Sequence, residues 1–274
     1  MKLRSKWTDL FSVLLFVYTS ITLFILCVTI MNAFKSSSEL SANLFGFPKE
    51  FIVDNFRSVM SDRYFLRQVL NSVVTTFLGT GLLLLLSAMA GYGLAKFTFK
   101  GNRFLSGYFM IGMMFPIQLC VMPLFIILRS IGLLDSLWGI ILLYASGLSF
   151  PLFTFTNFFQ SISPSIAESA RIDGAGEFRI FFLLIVPICK PVFATMALIN
   201  GIKIWNDFYT PMVFLTSVKN RTLMLSVYRY MQDFVKNWDL TFAAVVLTLL
   251  PIAVLYILCS KQIMGGLTAG SDKE

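Results

Sequence analysis

The sequence predicts an all-α membrane protein with six transmembrane helices. Of its 274 residues, 57% are apolar and only 13% are charged, whereas a soluble domain carries about 25% charged residues. Six apolar segments are also long enough to cross a bilayer core as helix, which takes about 20 residues. They are Leu10–Met31, Ser72–Ala95, Phe104–Leu128, Leu137–Phe159, Pro191–Leu215 and Leu240–Ser260.

The first apolar segment is interpreted as a membrane anchor. Basic residues precede it, as in a secretory signal peptide, but the run from Leu10 to Met31 is too long for the apolar part of such a signal. No small-x-small cleavage site follows it. We therefore expect the segment to remain in the protein as the first span.

The orientation of the spans follows from the positions of Lys and Arg. Total counts on the two sides are nearly equal, but two tight basic clusters precede the first span and join spans two and three, the second of them in "KFTFKGNR". Basic clusters favour the cytoplasmic side. The sequence thus predicts a multi-pass protein of the cell membrane with both termini in the cytoplasm.

Several function classes are disfavoured by composition. The net charge of +8 is not arranged as a basic stripe with interleaved aromatic residues, so we expect contact with anionic lipid rather than with nucleic acid. There is no histidine, and the four cysteines form no CxxC pair, so no metal site is predicted. The chain has no GxxxxGK[ST] motif, so ATP hydrolysis by this chain itself is not expected.

The stretch "SPSIAESARIDGAGEFRIFFLLIVPICKP" carries unusual charge for this chain. Ser165 and Glu168 have the spacing of a capping box, and Glu168 and Arg171 have the spacing of an ion pair on one helix face. Gly174 is placed to end that first helix. A second helix is predicted over 177–186. The segment is either a solvated linker or, because it is long and fully patterned, a docking surface for a cytoplasmic partner.

Polar residues gather on one arc of the fifth predicted span, between Asn200 and Thr210. At 100° per residue they fall within about 120°. Intramembrane charges usually face a bundle interior or a wet cavity, but Lys203 and Asp207 are also spaced to neutralise each other across one turn. Pro116 and Pro123 predict a kinked helix in span three, and Gln118 between them either lines a cavity or bonds to the backbone groups that the kink frees. The candidate pathway residues are Gln118, Asn200, Lys203, Trp205, Asn206, Asp207 and Tyr209.

The stretch "ESARIDGAGEFRIFFLLIVP" resembles the EAA loop of binding-protein-dependent ABC importer permeases. The family pattern is roughly E-A-A-x-x-D-G-A followed by a run that ends in I-x-L-P; here Ser169 and Val186 replace an Ala and a Leu. Three more stretches resemble the maltose-type second permease subunit of the carbohydrate-uptake branch. They are "NSVVTTFLGTGLLLLLSAMAGYGLAKFTFKG" from Asn71, "WNDFYTPMVFLTS" from Trp205 and "GGLTAGSDK" from Gly265.

The resemblance implies a type I ABC importer permease fold. It implies one transmembrane domain over 1–274, with a core of about 67–260 and a coupling loop of about 160–190. The implied partners are a first-subunit permease of the maltose type, a dimer of ATPase subunits that holds ATP and Mg, and an extracytoplasmic substrate-binding protein. The implied ATPase-coupling residues are Glu168, Ser169, Ala170, Arg171, Asp173, Gly174, Ala175 and Gly176.

The expected function is therefore that of a permease subunit in an ATP-driven sugar importer, with an oligosaccharide as the expected substrate. Related permeases carry glycerol phosphate or polyols, which remain alternatives. A self-contained secondary carrier would show an internal repeat or several intramembrane acids, and neither is seen. A membrane anchor for a cytoplasmic complex is a third possibility. By the resemblance, the loop 216–239 lies outside and reaches towards the binding protein.

Overall fold

A computed structural model describes residues 6–232 and 237–268, and these residues form helices and connecting turns without any strand. In chain order the α-helices are α1 (Lys6–Asn32), α2 (Ser37–Ala42), α3 (Asp54–Met60), α4 (Phe65–Lys96), α5 (Asn102–Gly112), α6 (Val121–Ser130), α7 (Leu137–Ser146), α8 (Ser149–Ser161), α9 (Pro164–Ile172), α10 (Glu177–Ile180), α11 (Val186–Ile188), α12 (Lys190–Trp205), α13 (Tyr209–Phe214), α14 (Leu223–Gln232) and α15 (Trp238–Thr268). Two 3₁₀ segments, Ile117–Cys120 and Val218–Asn220, and a π-helical segment, Phe181–Ile185, complete the chain.

Among the described residues, two helices are long and apolar enough to cross a membrane unbroken, over Leu10–Asn32 and Phe65–Lys96. They contain the first two predicted spans. The side chains of the apolar stretch of α1 are exposed almost throughout. Such a surface requires lipid or another membrane subunit around it, since lipid-facing helices are apolar outside.

Predicted spans three and four are not straight helices, and the kink predicted at the prolines of span three is confirmed. Each is a pair of helices with a bend between them, of 96° for Asn102–Gly112 with Ile117–Ser130 and 45° for Leu137–Ser146 with Ser149–Ser161. A third bend, of 79°, lies before α12 and so ahead of predicted span five, which is instead interrupted between α12 and α13. Pro116 lies in the first break and Gly147 in the second, as expected because proline and glycine interrupt helical hydrogen bonding. If each bent pair crosses once, up to five helical spans can be counted in the described part of the chain.

The sixth predicted span lies on α15, which contains Pro251. Its apolar part with described side chains, Trp238–Val254, is shorter than a full span. Most side chains from 255 onward lie outside the described residues, as do residues 1–5 and 269–274. Most of the stretch "GGLTAGSDK", which begins at Gly265, therefore lies outside the described residues.

The chain divides into two compact units, Met1–Leu66 with Ser226–Pro251, and Arg67–Leu225 with Ile252–Glu274. In the first unit, Lys35 is fully buried. Its Nζ donates to Asn32 Oδ1 at 2.8 Å and to the Asn43 carbonyl at 2.9 Å. These bonds offset the cost of burying the ammonium group and fix the turn that follows α1.

In the second unit, the core gathers around aromatic side chains from α4, α8 and the π-helical segment. Gly91 of α4 lies against α8 so closely that a Cβ there would come within 3.2 Å of the Leu152 carbonyl oxygen and the Thr156 nitrogen. Small residues permit this backbone-to-backbone contact in membrane helices. The contact fixes α4 and α8 as one rigid pair.

Candidate functional site

The charged segment starts with α9, whose first residue is Pro164. The N-cap position belongs to Ser163 and has no side-chain capping hydrogen bond, so the expected capping box on Ser165 is wrong. The two serine hydroxyls instead lie 2.8 Å apart. Proline at the first helical position explains the earlier start, because its fixed φ suits that position and its missing N–H is not needed there.

The end of α9 agrees with the predicted stop at Gly174. This glycine has a left-handed φ of 81°, and its N–H donates to the Arg171 carbonyl at 3.0 Å. The N–H of Ala175 donates to the Ala170 carbonyl at 2.9 Å. These two bonds form a Schellman turn, which satisfies the last carbonyls of the helix and reverses the chain into α10.

Arg171 pairs with Glu177, not with Glu168 as the helical spacing predicted. Its Nε donates to Glu177 Oε1 at 2.6 Å. The turn at Gly174 brings the first residue of α10 against the last turn of α9, and this places the two groups together. The hydrogen bond raises the pKa of Arg171. Both side chains are 40% exposed, so the pair adds little stability by itself but links the two short helices.

The segment presents one face outward. Its inner face is formed by Ala167 and Ala170, which are buried in the core. The predicted coupling residues Glu168, Ser169, Arg171, Asp173, Gly174 and Gly176 are exposed, and Ala175 is half-buried. Two apolar side chains that the sequence reasoning missed also point outward: Ile172 is 87% exposed and Phe178 is 71% exposed. Exposed apolar groups with a polar rim are typical of a contact surface.

A cavity of about 970 Å³ lies in the second unit. Its walls come from the break between α5 and α6, from α7 and the start of α8, and from α12 and α13. Six of the seven predicted pathway residues line it: Gln118, Asn200, Lys203, Asn206, Asp207 and Tyr209. Trp205 does not line the cavity, and its side chain is buried. Tyr144, which sequence reasoning did not single out, does line it.

Asp207 lies beyond the end of α12, so the single helical arc predicted for 200–210 is wrong. Its Oδ1 accepts hydrogen bonds from the backbone N–H groups of Tyr209 at 2.9 Å and Thr210 at 3.2 Å. Its Oδ2 accepts from the Tyr144 hydroxyl at 3.0 Å. The carboxylate thus starts α13 in the manner of a helix cap. The polar residues meet at the cavity through this helix break rather than through continuous periodicity.

Lys203 faces the cavity with an exposed side chain. Within the described part of the chain it makes no ion pair with Asp207 or with any other carboxylate. The Asn200 amide turns its Nδ2 to the Met196 carbonyl of its own helix, at 2.8 Å. Lys203 is therefore a cation that this cavity offers to solvent, to a ligand or to another chain.

A loop at 216–222 is held by two neighbouring elements of the second unit. Oδ1 of Asp135 accepts the N–H groups of Thr216 at 2.9 Å and Ser217 at 3.0 Å, and its Oδ2 accepts the Ser217 hydroxyl. The Asn71 amide donates to the Lys219 carbonyl at 3.0 Å. Burial alone would raise the pKa of Asp135, but the hydrogen bonds from Ser217 and Thr216 outweigh it and lower that pKa. Nothing in the sequence pattern singled out Asp135.

One family model and several known proteins match most of this chain. Residues 83–262 match the family model described as "Binding-protein-dependent transport system inner membrane component". The chain is 32% identical over 261 residues to the diacetylchitobiose uptake system permease protein NgcG of Streptomyces coelicolor, covering 94% of this chain and 86% of the relative. It is 31% identical over 255 residues to the arabinooligosaccharides transport system permease protein AraQ of Bacillus subtilis, covering 92% and 90%.

The fold resembles that of a solved transporter chain. A crystal structure of a bacterial ABC transporter involved in the import of the acidic polysaccharide alginate superposes with a TM-score of 0.84 at 24% identity. The superposition covers 95% of this chain and 99% of the other. The bent and broken helices of this chain therefore have the same fold as that transporter chain.

Proposed function

This chain belongs to the family of binding-protein-dependent transport system inner membrane components, and from that premise we propose that it is a permease subunit of an ATP-driven importer of oligosaccharides. The observation that carries the proposal is the presence, within one compact unit, of a cavity with a polar wall and of an exposed helix–turn–helix closed by a Schellman turn. The first provides one wall of a route, and the second provides a surface for an ATPase. The relatives named as oligosaccharide permeases support the substrate class.

The cavity has the chemistry that a sugar route needs. Aromatic faces from Tyr144 and Tyr209 can stack against sugar rings, and the amides of Gln118 and Asn206 can exchange hydrogen bonds with hydroxyl groups. Lys203 adds a charged donor without a partner in the described chain. A pathway between two permease subunits has one wall from each subunit. The cavity of this chain is the wall that this subunit supplies.

The proposed arrangement has six spans, both termini in the cytoplasm and the segment 160–190 on the cytoplasmic side. The straight spans over Leu10–Asn32 and Phe65–Lys96, the two bent pairs α5–α6 and α7–α8, the broken helix α12–α13 and α15 supply the six crossings. A second permease of the maltose first-subunit type covers the open side of the cavity, an ATPase dimer holding ATP and Mg docks below, and a substrate-binding protein docks outside. The residues proposed to meet the ATPase are Glu168, Ser169, Arg171, Asp173, Gly174, Ala175 and Gly176, and the buried Ala170 supports this surface from the core side.

The test is reconstitution of the chain in proteoliposomes with its second permease, its ATPase and its binding protein. The panel of labelled probes is diacetylchitobiose, an arabinooligosaccharide, an alginate oligosaccharide, glycerol phosphate and a polyol. We expect ATP-dependent uptake of at least one oligosaccharide, and none when the ATPase is omitted. Uptake that needs no ATPase would identify a secondary carrier, and uptake of glycerol phosphate or the polyol alone would replace the substrate class.

A further inference from the structure

One carboxylate, that of Glu177, connects three helices. Its Oε1 accepts the Nε of Arg171 in the last turn of α9 at 2.6 Å, and its Oε2 accepts the hydroxyl of Tyr92 near the end of α4 at 3.3 Å. Glu177 itself is the first residue of α10. Both halves of the charged segment are therefore tied, through a single side chain, to a helix that lies outside that segment.

Tyr92 is the fixed member of this set. It is 5% exposed, and its ring packs at 5.9 Å against Phe97, at 5.9 Å against Phe159 and at 5.3 Å against Phe181. These rings belong to the residue just after α4, to α8 and to the π-helical segment. Edge and tilted aromatic contacts of this kind hold a ring in one orientation, so the Tyr92 hydroxyl is aimed at Glu177 by packing and not by the hydrogen bond alone.

A second bond from α4 reaches the other end of the charged segment. The Nζ of Lys96 donates at 2.7 Å to the carbonyl of Ile162, which stands between α8 and α9. The last turns of α4 thus hold the segment just before its beginning, through Lys96, and at its middle, through Tyr92. A displacement of the segment cannot proceed far without either moving the end of α4 or breaking one of these two bonds.

The rest of α4 reaches the cavity. Leu83 of α4 lines it, and a Cβ at Gly79 would lie 3.3 Å from Cβ of Tyr144, another lining residue. Nearer the charged segment along α4, Gly91 contacts the backbone of α8 with no room to spare. Close-packed interiors transmit strain and do not absorb it. The helix is therefore in rigid contact with the charged segment at one end and with the cavity wall further along.

We propose that Tyr92 and Glu177 are a positioning pair that makes α4 follow the coupling segment during the transport cycle, so that ATPase closure is converted into a change at the cavity. The inference rests on the proposed function, since it requires an ATPase on that segment. Neither residue touches ATP or the transported molecule. Their role is to keep the motion of the segment coupled to the motion of α4. When this coupling is lost, ATP is hydrolysed without matching uptake.

The experiment compares Tyr92→Phe and Glu177→Gln, singly and together, in the reconstituted complex with the probe that the unsubstituted complex imports. Tyr92→Phe keeps the ring contacts and removes only the hydroxyl. We expect molecules imported per ATP hydrolysed to fall by about fivefold or more, the lower range of measured coupling effects. ATPase association and the thermal midpoint should stay unchanged. The double variant should be no worse than the worse single variant, because both changes break the same link.

The matched control is Tyr108→Phe, which removes a hydroxyl from an exposed tyrosine of α5 whose ring packs on Phe109. It should leave the import ratio unchanged. An unchanged ratio in Tyr92→Phe, or losses in the two single variants that multiply in the double variant, would overturn the proposal. Failure of the proposed function would look different, because the unsubstituted complex would then show no ATP-dependent uptake at all.

Discussion

The Tyr144 hydroxyl and the Asp207 carboxylate are joined by a hydrogen bond of 3.0 Å that crosses from α7 to the break between α12 and α13. Asp207 also receives two backbone N–H groups at the start of α13. One side chain therefore shapes a helix break and presents a polar surface to the cavity. Because Asp207 does both, its substitution distinguishes two explanations of the intramembrane charges. In one, Asp207 and Lys203 only neutralise each other; in the other, both are part of the cavity wall.

We predict that Asp207→Leu destabilises the protein because it leaves the Tyr144 hydroxyl and two backbone N–H groups without an acceptor. The cost is about 1–3 kcal/mol for each buried polar group left unsatisfied. Adding Tyr144→Phe should recover part of the loss, whereas adding Lys203→Leu should recover none. The readout is the thermal midpoint of the assembled complex. Rescue by Lys203→Leu alone would mean that the two charges serve mainly each other.

Replacing Lys203 with Met should, unlike Asp207→Leu, lower uptake while leaving stability almost unchanged. Its side chain is exposed and makes no ion pair in the described residues, so folding should change by no more than about 0.5 kcal/mol. Uptake should fall, because the cavity loses its charged donor, and Lys203→Arg should retain more uptake than Lys203→Met. The measurement is initial uptake rate alongside complex yield. A variant that assembles poorly would indicate instead that Lys203 pairs with an acid on another subunit.

Gly174 and Gly176 offer a matched pair of glycines in the charged segment. A Cβ would meet nothing within 4 Å at either position, and only Gly174 has a positive φ. Gly174→Ala should therefore cost about 1–2 kcal/mol locally, the penalty for a left-handed L-residue, and should lower substrate-stimulated ATP hydrolysis. Gly176→Ala, at a residue with an ordinary φ, should lower it less. Equal behaviour of the two variants would show that the left-handed turn is not needed for docking.

Local signals predicted some features well. The stop at Gly174 depends only on neighbouring backbone atoms, and the apolar lengths of the first two spans depend only on composition. The pairing of Arg171 was mispredicted because the turn at Gly174 brings a residue six positions away closer than the one three positions away. The prolines of span three predicted its kink, but the breaks inside spans four and five were not predicted, because apolar length says nothing about where a helix bends. Neither Asp135 nor Tyr92 carries a sequence signal, since each acts through residues distant in the chain.

Topology can be tested with two single cysteines. The side chain of Lys219 is exposed, and only its backbone carbonyl is used, by Asn71. Under the proposed orientation, Lys219→Cys should react with an impermeant thiol reagent in intact cells, whereas Gly176→Cys should react only after permeabilisation. Because Cys27 and Cys120 are exposed in the unsubstituted chain, the labelling of that chain is measured as the background and subtracted. Labelling in the reverse pattern would invert the orientation.

The hydrogen bonds at Asp135 make the loop 216–222 sensitive to pH in a defined direction. The lowered pKa of this carboxyl means that its ionised form stabilises the folded state. That contribution is complete above the ordinary aspartate pKa of about 3.9 and is lost as pH falls through the lower folded value. Asp135→Asn should therefore reduce stability at neutral pH by about 1 kcal/mol, and the difference from the unsubstituted chain should disappear in acid.

The same substitution gives a local readout. The backbone N–H groups of Thr216 and Ser217 both donate to Oδ1 of Asp135, so their hydrogen exchange at neutral pH should accelerate in Asp135→Asn, where a neutral oxygen is the weaker acceptor. The Lys219 carbonyl remains bound to Asn71 in that variant, and Asn71→Ala should loosen the other side of the loop independently. If the thermal midpoints of Asp135→Asn and the unsubstituted chain agree at neutral pH and separate only in acid, the carboxylate does not stabilise this loop by its charge.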